Sequence, residues 1–218
     1  MKKLNKIKLC ICVFLSAVIL TFSFASCTSE IDIQLKADNT IDVKFSGEAG
    51  IAFEQLIRSS TGVTDGNIVF DTENISYELS KNGFTNVSAV SKHGTDLTVT
   101  MSDKNQTSPL FKSKIINTEN NKLTASLTPK KLIDFYNSSD DQIVMFLDMM
   151  LSPLFNDEVM SESEYIETMA SFYGDKAAKE ISDSSFKISL INPDGKKAVY
   201  NIPMAHLLTL NEVIELKD

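Results

Sequence analysis

Residues Ile31–Phe45 read IDIQLKADNTIDVKF, and this stretch decides what kind of fold the chain builds. Ile31, Ile33 and Leu35 alternate with Asp32, Gln34 and Lys36, and the same period returns at Ile41, Val43 and Phe45. A period of two puts every apolar side chain on one face of an extended strand, so both runs predict strands with one buried and one solvated face. Asp38-Asn39 between them supplies the turn residues, and the two strands are expected to form a hairpin.

Downstream, the same signals recur with helices between them. Ile51, Leu56 and Ile57 predict a helix over 48–60 that stops at Gly62, and a second is expected over 72–82, capped by Asp71 or Thr72 and ended by Gly83. Strands over 87–91 and 97–101 flank Lys92–Thr95, and strands over 110–116 and 123–127 flank a polar tip at 117–122 that is expected to be loose. Thr128-Pro129 fixes a helix start, because Pro at the first helical position loses no hydrogen bond there. Ile143, Phe146, Leu147, Met150 and Leu151 form one helical stripe ending at Pro153, and Ser161 with Glu164 makes a capping box for a helix reaching Tyr173 and Gly174. A short polar helix over 175–181 follows.

Strands over 186–191 and 197–202 flank Asn192-Pro193-Asp194-Gly195, the clearest turn in the chain, and 213–216 reads as a last strand. The expectation is one α+β domain over 31–218. It has a mainly antiparallel sheet of about nine strands in several hairpins, with a helical insertion over 129–182 packed on one face.

Upstream lies a different composition. Lys2, Lys3, Lys6 and Lys8 precede an apolar run from Leu9 to Phe24, about 16 residues, at the short end of what a membrane span needs. That pattern is a secretory leader. Phe24-Ala25-Ser26-Cys27 then sets two small residues directly before a cysteine, and this resembles the lipobox of bacterial lipoproteins, with Phe24 where that class usually has Leu.

The resemblance implies that residues 1–26 are removed and that Cys27 becomes the first mature residue. Its thiol would carry a diacylglyceryl group and its amino terminus a further acyl chain. Residues 27–30 would be a lipidated tether, and the membrane would be a partner through the lipid. One acyl chain holds a protein only marginally, whereas two or three hold it stably. Thr28 stands where enteric lipoproteins retained at the inner membrane carry Asp, which favours the outer membrane or cell surface if the cell has two membranes. Ordinary secretion with cleavage near Ala25 or Ser26, and an uncleaved anchor, are the competing readings.

All three cysteines, Cys10, Cys12 and Cys27, lie in this region, so a mature chain lipidated at Cys27 has none left for a disulfide or a thiolate metal site. The leader takes four of the 21 basic residues and none of the 29 acidic ones, so the mature chain is more acidic still than the net −8 of the whole. Nucleic acid and anionic lipid headgroups both require clustered Lys or Arg, and neither is expected as a partner.

Catalytic and cofactor motifs are not apparent: the sequence has no phosphate-cradling glycine loop, G-x-S-x-G elbow, H-E-x-x-H or EF-hand loop. No cofactor, metal or catalytic residue is assigned. His93 reads as a turn histidine and His206 as a partly buried one. Ser59, Ser60 and Thr61 read as a helix C-terminal loop. Asp157, Glu158, Glu162, Glu164 and Glu167 read as a solvated capping region favoured by the helix dipole.

The stretch VMFLDMMLSPLF, Val144–Phe155, is apolar beyond a single stripe. Such a helix is usually buried on two sides. The functional alternative is an apolar groove lined by Met145, Phe146, Met149, Met150, Phe155 and Met169, since flexible Met side chains suit variable apolar ligands. The expected function is therefore a membrane-anchored envelope lipoprotein acting as a non-enzymatic binding or assembly module for an envelope protein. The alternatives are a carrier or sensor of an apolar ligand through the helices of 140–173, and a carboxylate-dependent hydrolase of envelope material.

Overall fold

The alternation that opens at Ile31 does produce a hairpin, and its turn is held by its own side chain. Asp38 accepts from the Thr40 N–H at 3.0 Å, Asn39 takes a left-handed φ of 65°, and the Lys36 N–H closes the loop on the Thr40 carbonyl at 2.8 Å. The computed structural model describes residues 29–48, 50, 54, 70–92, 96–107, 109–137 and 160–217. Among these residues the order is β1 (Ser29–Leu35), β2 (Ile41–Glu48), α1 (Thr72–Lys81), β3 (Thr85–Val90), β4 (Asp96–Asp103), α2 (Pro109–Lys112), β5 (Ile116–Glu119), β6 (Lys122–Leu127), α3 (Pro129–Asn137), α4 (Glu162–Tyr173), α5 (Asp175–Asp183), β7 (Ser185–Ile191), β8 (Lys197–Pro203), α6 (Met204–Thr209) and β9 (Ile214–Lys217).

The fold is α+β, but its strands form two sheets and not a single nine-stranded one. Six lie in the order β3-β4-β2-β1-β7-β8 and three in the order β5-β6-β9. All pairings are antiparallel except β1 with β7, which run parallel with Ile31 opposite Ile188. The split follows from burial. Leu123, Ala125 and Leu127 of β6 and Ile214 and Leu216 of β9 give the short sheet one apolar face. The large sheet offers Ile31, Ile33, Phe186 and Ile188 on its inner face. Stacking hides both faces, whereas one extended sheet would need further cover.

The expected strand at 110–116 is also corrected. Residues Pro109–Lys112 form a helical turn and β5 begins only at Ile116. The tip at 117–122, expected to be loose, is a tight turn: Asn120 and Asn121 both take positive φ, 52° and 62°, as a two-residue hairpin turn requires.

Local caps form where the sequence puts them. Asp71 accepts from the Asn74 N–H at 3.0 Å, and Thr128 Oγ1 accepts from the Lys131 N–H at 3.1 Å. Ser161 and Glu164 close a complete capping box. Within 129–182 fall α3, α4 and α5; α4 and α5 pack on each other and on α6, delivering Tyr165, Met169, Ala177, Ala178 and Ile181 to one contiguous core shared with the sheets. The expected helix over 48–60, apart from Glu48 in β2, Gly50 and Glu54, and the stripe Ile143–Leu151 lie outside the described residues.

Candidate functional site

The first candidate is the anchor. Cys27 lies outside the described residues, but β1 begins at Ser29, two residues on. The strand thus takes in Ser29 and Glu30, which the alternation alone left in the tether. Ser29 is fully buried and opposite Phe186 of β7, so the sheet draws the chain in earlier than its own hydrophobic pattern requires. No helix among the described residues is long and apolar enough to cross a membrane.

The second is the outer face of the large sheet. Strand registers align Val90, Thr98, Ser46, Glu30, Lys187 and Asn201 in one row across it. A neighbouring row runs Ser88, Thr100, Lys44, Asp32, Ser189 and Val199. Lys187 meets Glu30 at 3.2 Å, and Lys197 meets Asp32 at 3.1 Å. Ser102 donates to Asp42 at 2.7 Å, and Lys36 pairs with the same carboxylate at 2.5 Å. Partial burial acts to raise the Asp32 carboxyl, but the neighbouring Ser189 hydroxyl, Lys197 and Lys44 outweigh it and hold it below its ordinary range.

This face is hydroxyl-rich and mixed in charge. Its ion pairs are half-exposed, each worth little to stability, and its groups suit a wet interface better than a reaction centre. Alternation puts these residues on the face away from the apolar core, where Ser189 and Ser102 are nonetheless buried, but their partners across β1 and β7 come from opposite ends of the chain and carry no local signal.

The remaining sequence candidates are scattered. His206 on α6 sits with Nδ1 3.0 Å from Glu162 Oε1 in the first turn of α4, and Asn211 donates to the Met160 carbonyl at 2.7 Å beside it. The first contact ties α6 to α4, and the second joins the segments that flank them. Glu164 spends its carboxylate on the Ser161 hydroxyl and N–H, which lower its pKa. Among the described residues no group of three His, Cys, Asp or Glu is arranged to hold a metal ion.

Met169 is 4% exposed and belongs to the core. Met145, Phe146, Met149, Met150 and Phe155 lie outside the described residues, as do His93, Ser59, Ser60, Thr61, Asp157 and Glu158. Compared with known proteins, the chain matches no family model, no curated protein and no solved structure.

Proposed function

We propose that this chain is a bacterial envelope lipoprotein, fastened to a membrane by lipid on Cys27, whose α+β domain acts as a non-enzymatic binding or assembly module. The observation that carries the reading is the adjacency of Cys27 to a buried strand residue, Ser29. Two extended residues span about 7 Å, so a lipid there would hold the large sheet against the bilayer with almost no slack. The folded part needs no apolar helix of its own for attachment. The outer sheet face, polar with paired charges, is the surface such a module would offer to an envelope partner, on the outer membrane or cell surface where two membranes exist.

The test is the Cys27→Ala variant expressed beside the parent in cells fed an alkyne-bearing fatty acid. The parent is expected to take up label and sediment with membranes, and the variant to do neither. Label and membrane attachment unchanged in the variant would refute the reading.

A further inference from the structure

Each strand of the large sheet has one end on the rim where β1 begins. β7 runs parallel to β1 with Ser29 opposite Phe186, so it starts there too. β2 finishes there, with Ser46 opposite Glu30 and Glu48 opposite Asp96, the first residue of β4. Val90 closes β3 opposite Thr98, and Pro203 closes β8 opposite Ser185. β1 is an inner strand, with β2, β4 and β3 on one side and β7 and β8 on the other. The chain thus enters the sheet near the middle of the rim, and Cys27 is no further than about 7 Å from that point.

The opposite end of the sheet carries turns. The segment 36–40 joins β1 to β2, and 192–196 joins β7 to β8. Gln106, on the loop after β4, donates to the Asn39 carbonyl at 3.1 Å and accepts from Thr118 Oγ1 at 3.0 Å, which brings the β5–β6 hairpin to this end as well. β1 is seven residues long, so the turns stand about 20 Å from the rim.

We propose that the rim rests on the phospholipid headgroups and the strands of the large sheet rise away from the bilayer, a pose imposed by the shortness of the tether. It rests on the lipid anchor at Cys27 and adds an orientation to it. Neither broad face of the sheet competes for the membrane. On the inner face Ile31, Ile33, Phe186 and Ile188 are already buried. On the outer face Lys187, Lys197 and Lys36 are each paired with a carboxylate, so among the described residues there is no cluster of free cations to draw that face flat onto anionic lipid. The rim has no attraction of its own either, since Glu48 and Asp96 set like charges opposite one another. Tether length alone holds it down. The polar outer face then looks along the membrane surface, and an envelope partner meets it from the side.

The experiment reads the distance of each end from the headgroups. A mature chain lipidated at Cys27 has no other cysteine, so one introduced thiol carries the fluorophore. Glu48→Cys and Pro203→Cys place it on the rim, on either side of Ser29, and Lys104→Cys and Lys196→Cys place it at the turns; all four positions are exposed. Each lipidated variant is put into phosphatidylcholine nanodiscs in which some lipids bear a nitroxide on the headgroup. Both rim labels are expected to be quenched and both turn labels to stay bright. A ten-residue Gly-Ser insertion after Thr28, with an end-to-end reach of about 17 Å, should release the rim labels from quenching. Equal quenching at all four sites, quenching at one rim label alone, or rim quenching that survives the insertion would overturn the proposal. A chain that does not co-purify with the nanodiscs overturns the lipid anchor and this pose with it, whereas a chain that co-purifies without the expected pattern overturns the pose alone.

Discussion

The hydroxyl of Tyr200 engages both backbone groups of Lys217: it accepts from the N–H at 3.2 Å and donates to the carbonyl. One side chain of β8 thereby occupies the outer edge of β9, the last strand of the small sheet. Open strand edges invite pairing with other chains, so the contact both joins the sheets and blunts an edge.

Tyr200→Phe removes the hydroxyl and keeps the ring. Both Lys217 groups are exposed and regain water, so the cost is expected to be about 1 kcal/mol, read as a lower urea midpoint. Sedimentation should show stronger self-association than in the parent. Unchanged stability and unchanged sedimentation would mean that the bridge is incidental.

Asn192→Ala is expected to cost more. Its Oδ1 is the acceptor for a buried backbone N–H, that of Leu123. Stranding a buried donor costs about 1–3 kcal/mol. Faster hydrogen exchange at the Leu123 amide, with exchange in β1 and β2 little changed, would locate the loss at the small sheet.

For α4 the capping box makes a graded prediction. Ser161→Ala should lose about 1 kcal/mol, while Glu164→Gln keeps a side chain able to reach back to the Ser161 N–H and should lose less. Thermal melts followed by circular dichroism rank the two. Equal losses would separate the box from its effect on the helix.

Asp32 sets an acid limb. Its folded pKa lies below the ordinary value, so its contribution is present above the unfolded pKa, about 4, and disappears as the pH falls through the lower folded value. Parent and Asp32→Asn should differ in stability at pH 7 and converge as the pH drops below about 4. A difference that persists undiminished to pH 2 would contradict this sign.

Local features of the fold were legible and distant ones were not. The turn of the β1–β2 hairpin, the Asn192–Gly195 turn and the caps at Asp71, Thr128 and Ser161 each rest on residues within five positions of one another, and all formed. The parallel pairing of β1 with β7 joins Ile31 to Ile188, and no periodicity within either strand selects that partner. The same blindness merged β5, β6 and β9 into one sheet with the rest, because a strand's apolar face does not say whether it is covered by a helix or by another sheet. On the outer sheet face, Asp32 and Lys197 were each readable as outward-facing, but their ion pair exists only through the β1–β7–β8 register. The turn at Asn120-Asn121 could have been found, since paired asparagines tolerate the left-handed region that a two-residue turn demands.

The most direct test of the central claim is the intact mass of the mature protein extracted from membranes. The account predicts a chain beginning at Cys27 and carrying the added mass of a diacylglyceryl thioether and an amide-linked acyl chain. A mass matching an unmodified chain, whether cut elsewhere or uncut, would contradict it.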